Sequence, residues 1–223
     1  MTKLFPFLIV LICLFFIFAC SKTTVVSVLP VEESFKTPLA KEWSWVRENT
    51  ETQRISEKGL EIQLEPGSLM GGGKGVKNIL VRPLPEEANQ VSVEVEFIPE
   101  NQYEQAGLML YCDDDRYIKL VKEFVDGEPW IVMAVEIDAQ NPLVQKIPAP
   151  GDQVKIRFSL DGDGVTGACW NQENADSPWM AVASFSFPMS PRPMIGVFTQ
   201  NGQPETERWA CFTNFRITKE AAE

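Results

Sequence analysis

Apolar and polar residues alternate along most of the chain after residue 30, and this period of two is the pattern of half-buried β-strands. Clusters of Gly, Pro, Asn and Asp separate the alternating runs, as turns separate strands. No later run has the period of an amphipathic helix. The alternation predicts strands over residues 59–64, 78–82, 91–98, 105–111, 117–125, 130–138, 154–160, 165–170, 180–187, 195–199 and 208–217. We therefore expect an all-β sandwich or jelly roll.

The alternation also assigns the faces of the middle strands. Val91, Val93 and Val95 share one face of their strand and are expected in the core. The runs 105–111, 117–125 and 130–138 are joined by short Asp-containing turns, which predicts three antiparallel neighbours whose second faces form one patch. That patch presents six aromatic, amide or charged side chains: Gln105, Tyr117, Lys119, Glu123, Trp130 and Glu136.

This mixture of side chains suits sugars, because aromatic rings stack on their C–H faces while amides and charges bond their hydroxyl groups. We therefore treat the six residues as a candidate carbohydrate site. The other interpretation is a sheet face that is solvated or covered by a loop, and the pattern alone does not separate the two. A loop is expected at Gly71–Gly75, because this glycine-rich run lacks the Ser or Thr that follows the lysine of a phosphate-binding loop.

The N-terminal segment differs from the rest of the chain. A single charge, Lys3, precedes a run that is apolar on every side up to Ala19, as in a secretory signal peptide. The run ends at Ala19-Cys20-Ser21, which resembles a bacterial lipobox with Cys20 as the acylated residue, although Phe18 replaces a smaller one. An uncleaved anchor is the alternative, since the run falls only a little short of the roughly 20 residues that span a bilayer.

Either form of this segment places the remaining chain outside the cytoplasm, at the cell envelope. Ser21, rather than Asp, resembles the sorting pattern of outer-membrane lipoproteins. We expect a signal peptide over residues 1–19, a tether over 20–31 and one β-sandwich domain over 32–219. Stable attachment to the membrane requires more than one acyl chain.

Charge narrows the function further. The chain has 20 Lys and Arg against 31 Asp and Glu, and loss of Lys3 with the signal peptide leaves 19 − 31 = −12. Such an acidic surface argues against nucleic-acid partners. The chain has no histidine, which removes the commonest general base and zinc ligand.

Cysteine is less informative. Cys13 leaves with the signal peptide and Cys20 carries lipid, so Cys112, Cys169 and Cys211 remain in an oxidising compartment. Three is an odd number, so at most one disulfide forms among them.

Several blocks resemble a known domain. They are residues 42–49, 59–62, 77–82, 105–111 and 113–120. These blocks resemble the concanavalin A-like domain at the C-terminus of bacterial β-xylosidases and a related stand-alone domain of unknown function, over about residues 32–217. The resemblance implies a jelly-roll sandwich of two antiparallel sheets, one of them concave. It implies little about activity, because the catalytic residues of β-xylosidases lie on a separate propeller domain.

An enzyme remains an alternative, because Glu136-Ile137-Asp138-Ala139-Gln140 is close to the catalytic strand motif of concanavalin A-like β-glucanases. Gln140 stands where that motif has its acid/base glutamate and cannot transfer a proton in its place. Hydrolysis would then require Glu123 to act with Glu136. A retaining glycosidase needs its two carboxyl groups roughly 5 to 5.5 Å apart.

Two further features have simpler interpretations. Asp113–Asp115 and Asp161–Gly164 offer oxygen ligands for the structural calcium that such jelly rolls often hold, but hairpin turns use the same residues. We therefore expect no cofactor apart from a possible calcium ion. Trp170 and Trp179 are interpreted as packing rings of the core or rim.

Three functions follow from these observations. The first is a surface-tethered, non-catalytic lipoprotein that binds an oligosaccharide or polysaccharide. The second is a structural or protein-interaction module of the envelope. The third is a glycoside hydrolase that uses Glu136 and Glu123.

Overall fold

A computed structural model of the chain describes residues 29–171 and 178–220, without the side chains of residues 140 and 141. The described ranges form β-strands and contain no helix. The strands are β1 (Val31–Glu33), β2 (Ser44–Val46), β3 (Gln53–Ile55), β4 (Leu60–Gln63), β5 (Ile79–Pro83), β6 (Gln90–Glu96), β7 (Gln105–Asp113), β8 (Arg116–Val125), β9 (Glu128–Ile137), β10 (Gln140–Pro148), β11 (Gln153–Asp161), β12 (Gly164–Trp170), β13 (Trp179–Ser186), β14 (Met194–Gln200) and β15 (Trp209–Thr218). All eleven predicted strands are present, so the all-β prediction is confirmed.

The strands form two antiparallel sheets. The eight-stranded sheet has the order β13-β12-β11-β6-β15-β4-β3, and β1 also pairs with β15. The seven-stranded sheet has the order β10-β9-β8-β7-β14-β5-β2. The length of β15 allows this double pairing, because β4 pairs with its first half and β1 with its second. This is the jelly-roll-like sandwich of two sheets that the sequence predicted.

The main core lies between the two sheets. Val91, Val93 and Val95 of β6 are fully buried there, in one cluster with Leu108 and Leu120 of the opposite sheet. Burial of each such side chain contributes roughly 1.5 to 3 kcal/mol to folding. The core residues predicted from the alternation of β6 are therefore confirmed.

The four strands that the alternation did not predict are edge or very short strands. β1, β2 and β3 have three residues each, too few to show a period of two. β10 contains Pro142 and Pro148, which argue against a central strand because proline donates no ladder hydrogen bond. The structure resolves this conflict by placing β10 at the edge of the seven-stranded sheet, where β9 is its one neighbour among the described strands.

The seven-stranded sheet is buried on both faces. Every residue of β8 from Tyr117 to Glu123 is buried, whereas one open face would alternate. The cause is the β4–β5 connection, residues 64–78, which we call the covering segment. It places Leu69 and Val76 in a second hydrophobic cluster with Val121 and Phe198 on the outer face of this sheet.

The predicted signal peptide, Cys20 and most of the tether lie outside the described residues. Within the described ranges, no helix has the length and apolar character that a membrane crossing requires. The described strands begin at Val31 and end at Thr218. The domain limits, the lipidation of Cys20 and the location at the envelope therefore stay predictions.

Candidate functional site

The six residues of the predicted patch do share one face of the seven-stranded sheet. Tyr117 lies opposite Glu136 across β8 and β9, and Glu123 lies opposite both Trp130 and Gln105. Lys119 stands between them on the same face of β8. The adjacency of the three strands, and the face assigned to these side chains, are therefore as predicted.

The patch is covered, however, as in the second of the two interpretations that the pattern left open. Lys119, Gln105, Tyr117 and Glu136 are each 1% exposed, and Glu123 is 6% exposed. Trp130 is half-buried, and its indole Nε1 donates to the carbonyl oxygen of Val125. The physical reason is the covering segment, whose apolar side chains occupy the face that a sugar would need.

Glu136 holds the covering segment to the sheet. Its Oε1 accepts hydrogen bonds from the backbone N–H groups of Gly71 at 2.8 Å and Gly72 at 3.2 Å. Its Oε2 accepts from the Tyr117 hydroxyl at 2.8 Å. Burial, followed by this bond to the carboxylate, raises the pKa of Tyr117. Glu136 therefore has a structural role in the described chain. From β9 it holds the loop that the glycine-rich run predicted.

The remaining polar groups of the patch form a small buried network. The Lys119 ammonium donates to Gln105 Oε1 at 2.7 Å. Burial lowers the pKa of Lys119, against the attraction of Glu123 and Glu136. Burial also raises the pKa of Glu123, against the attraction of Lys119 and Lys146. Both groups are therefore displaced toward their neutral forms.

The geometry does not support a hydrolase that uses Glu136 with Glu123. Glu136 lies opposite Tyr117, and Glu123 is six residues further along β8. At a rise of about 3.4 Å per residue the two positions are roughly 20 Å apart. The carboxyl groups of a retaining pair are roughly 5 to 5.5 Å apart and those of an inverting pair roughly 6.5 to 9.5 Å, so residues at the two ends of the patch do not fit either pair.

The acidic turns use their carboxylates within the protein. Asp114 accepts two hydrogen bonds from the guanidinium of Arg47, both at 2.9 Å, and one from the Tyr111 hydroxyl at 2.7 Å. Asp163 accepts from the backbone N–H of Met189. Across residues 29–171 and 178–220, no group of three or more Cys, Asp or Glu side chains is placed to hold a metal ion. These contacts favour the turn interpretation of both acidic runs.

The outward face of the eight-stranded sheet is more open than that of the seven-stranded sheet. Partly exposed residues alternate with buried ones along β11, whereas the middle of β8 is buried on both faces. Neighbouring strands bring Trp179 of β13, Trp170 of β12, Lys155 of β11 and Glu94 of β6 side by side. Arg216 of β15 continues this surface. We call the surface formed by these five residues the outer groove.

Among the described residues, three cavities that Lys155 lines open along the outer groove. Their volumes are about 520, 720 and 230 Å³, and Lys155 lines all three. Polar groups complete the walls, among them Gln153 and Asn171 beside Trp170 and Asn214 beside Arg216. The outer groove therefore combines accessible volume with rings and hydrogen-bonding groups.

Trp170 and Trp179 are half-buried rings on this outward sheet face. Their ring centroids are 5.1 Å apart in an edge-to-face arrangement. The Lys155 ammonium lies 5.7 and 5.8 Å from the two centroids, and the Arg157 guanidinium lies 4.1 Å above the Trp179 ring. These cation–π contacts hold both rings against charged neighbours and leave part of each ring exposed.

The outer groove was missed because its signal is split among distant strands. Lys155 and Arg157 alternate with the core residues Val154 and Ile156, so their outward direction was readable from β11 alone. Their neighbours across the sheet were not readable. β6 lies about sixty residues earlier in the chain, and pairs with β11 through the register Lys155–Glu94.

Comparisons with solved structures show where this fold occurs. The GH43 protein BlXynB from Bacillus licheniformis superposes with a TM-score of 0.74 at 17% identity, over 85% of this chain and 39% of that one. Xylan β-1,4-xylosidase from Bacillus halodurans C-125 superposes with a TM-score of 0.69 at 16% identity, over 84% of this chain and 38% of that one. A functionally unknown protein from Saccharomyces cerevisiae superposes with a TM-score of 0.64 at 15% identity, over 81% of this chain and 98% of that one.

These likenesses show a shared fold, and this chain spans about two fifths of the length of the two bacterial proteins. The predicted resemblance to β-xylosidases is thus confirmed for the fold. A search of curated proteins found no match. The family model described as "Protein of unknown function (DUF1349)" matches residues 74–220, which is 147 of the 223 residues. The chain therefore belongs to this family of proteins of unknown function, DUF1349.

Proposed function

We propose that this protein binds carbohydrate, without catalysing a reaction, at the outer groove. The observation that carries the proposal is the Trp170–Trp179 pair, two partly exposed rings beside amide and charged groups on an accessible sheet face. Sugars need this combination, since rings contact their C–H faces and polar groups satisfy their hydroxyl groups. The proposal keeps the predicted function and moves its site from one sheet to the other.

Two further observations support recognition over hydrolysis. The carboxylates of Glu136 and Glu123 are too far apart to act as a pair, and the chain has no histidine. Several proteins with the same fold are described as xylosidases or other GH43 enzymes, and this chain matches only a part of each. A domain that shares only a part of such enzymes is consistent with an accessory role in binding polysaccharide.

We propose further that the domain is tethered at the envelope through lipid on Cys20, on the outer membrane as Ser21 indicates. Labelling of cells with an alkyne-bearing palmitate analogue would test this part. The wild-type protein should incorporate label and partition with membranes. A Cys20→Ala variant that still carries label would contradict it.

Binding should be tested with the full-length chain in detergent micelles, against xylo-, gluco- and galacto-oligosaccharides by isothermal titration calorimetry. Trp170→Ala should weaken binding by about tenfold or more, because it removes a ring of the groove. Trp130→Ala is the matched control, since it removes a half-buried tryptophan from the other sheet. It should leave the affinity within about twofold of wild type.

The competing functions predict different results. Loss of binding in Trp130→Ala but not in Trp170→Ala would place the site at the covered patch after all. Absence of binding to every glycan, together with a specific protein partner, would favour the interaction module. Turnover of an aryl glycoside would revive the hydrolase.

A further inference from the structure

The cavity of about 230 Å³ in the outer groove is lined by several basic side chains. Lys155, Arg157 and Arg216 line it, together with one carboxylate, Glu220. The chain as a whole has 31 acidic against 20 basic residues. Among the described residues, three basic side chains and one carboxylate line this cavity, which we call the cationic cavity.

The carboxylates around the cationic cavity are already bonded within the protein. Glu220 Oε2 accepts a hydrogen bond from the Gln90 amide at 2.7 Å. Glu32 pairs with Arg216 at 2.6 Å. Glu94 lies opposite Lys155 across the strands and accepts from Asn214 at 2.8 Å. Each of these acids has a donor other than Lys155.

Lys155 is the cation most available to a ligand. Among the described residues its ammonium forms no ion pair or side-chain hydrogen bond, although it is the cross-strand neighbour of Glu94. Its contacts are the faces of Trp170 and Trp179. An ammonium beside two rings keeps its three N–H donors for an incoming acceptor.

Resting on the carbohydrate-binding function proposed above, we propose that the cationic cavity receives a sugar that bears a carboxylate, a uronic acid unit of the glycan. Trp170 and Trp179 offer ring contacts to the sugar, while the Lys155 ammonium offers charged donors to its carboxylate. Ammonium donors form short, strong hydrogen bonds to a carboxylate. Ser92 and Thr218 on the cavity wall offer hydroxyl groups to the remainder of the sugar.

The test compares two oligosaccharides of four sugar units each, xylotetraose and a xylotriose that carries one glucuronic acid. Calorimetry on the full-length chain in detergent should give about tenfold tighter binding of the acidic sugar at low salt, and a smaller difference near 0.5 M NaCl as charges are screened. Lys155→Gln should reduce the affinity for the acidic sugar at least about fivefold more than that for xylotetraose, because it removes a charged donor. Thermal melting of the variant would confirm that it folds.

Lys58→Gln is the matched control, since Lys58 lies in the turn between β3 and β4 of the same sheet and lines other cavities than the cationic cavity. It should leave both affinities unchanged. Equal wild-type affinities for the two sugars would overturn the uronic acid inference while leaving carbohydrate binding intact. Equal losses in the two lysine variants would overturn the assignment to the cationic cavity. Tighter binding of a sulfated sugar than of the uronate would overturn the carboxylate assignment, and absence of all binding would overturn both proposals.

Discussion

Two lysines of β8 are both 1% exposed, yet their surroundings are opposite in kind. The Lys122 ammonium lies 2.6, 2.7 and 3.1 Å from the carbonyl oxygens of Phe97, Gly151 and Asp152, and so uses all three donors. Lys119 donates to one amide oxygen. A buried ammonium is tolerated where acceptors replace its water, so Lys122 ties β8 to two other backbone segments, at Phe97 and at Gly151–Asp152, while Lys119 does not.

We expect Lys122→Met to lower the free energy of unfolding by about 2 to 3 kcal/mol, since buried carbonyl groups would lose a charged donor. Lys119→Met, a substitution of the same kind on the same strand, should cost about 1 kcal/mol or less because a single bond is lost. Urea denaturation of the two variants measures both values. Equal costs would contradict this account of the two lysines.

Glu123 predicts a dependence of stability on pH. Its pKa is raised above the ordinary value of 4.5 because burial disfavours the charged form. At pH values between 4.5 and the raised pKa, the native state binds more protons than the unfolded state. The free energy of unfolding therefore falls as the pH rises through this range. The substitution Glu123→Gln removes the ionisable group and with it this fall in the free energy of unfolding.

The variant should match wild type below pH 4.5 and be more stable at about pH 7.5, because only the wild-type protein loses stability as the pH rises above 4.5. Thermal melting across this pH range measures the difference. A variant less stable than wild type at the higher pH would show that the attraction between Glu123 and Lys119 outweighs burial.

At the scale of elements, the covering segment decides which sheet face is available. Alternation along β8 and β9 predicted the shared face correctly, because side-chain direction in a strand is a local property. It could not predict the cover, because Leu69 and Val76 reach that face from a connection about fifty residues earlier in the chain. The glycine-rich run marked this connection as a loop, but the place where it packs depends on the folded sheet.

Glu136→Ala should loosen the covering segment without unfolding the sheet, because the N–H groups of Gly71 and Gly72 lose their acceptor. Backbone amide exchange of residues 69–74 should accelerate on the order of tenfold, while that of β6 and β15 stays slow. Glu128→Ala, at the exposed end of the same strand, is the control and should change neither. Unchanged exchange in Glu136→Ala would contradict the role assigned to this carboxylate.

At the scale of the whole molecule, the three cysteines of the described domain are free and lie apart. Burial raises the pKa of Cys169 to about 12, and burial with nearby carboxylates raises that of Cys211 to about 11. The sequence allowed at most one disulfide among these three residues, and the structure forms none among them. The spacing of the strands decides this, since cysteines on different strands meet only where the register brings them together.

Because the thiolate is the reactive form, these thiols should react slowly with iodoacetamide near pH 8. Peptide mapping should show Cys169 modified at least about tenfold faster in urea than in the native protein. A reductant should leave the melting temperature unchanged. Recovery of a disulfide-linked peptide from the native protein would contradict both expectations.

The sequence by itself determined eleven of the fifteen described strands, the core residues of β6 and the shared face of the predicted patch, because all three follow from local alternation. It also determined the acidic charge and the apolar N-terminal run that ends at Cys20. Only the tertiary structure decided which outward face is open. The covering segment closes one face, and pairing of distant strands assembles Lys155, Trp170 and Trp179 on the other. Such contacts join residues far apart in sequence, so no local pattern specifies them.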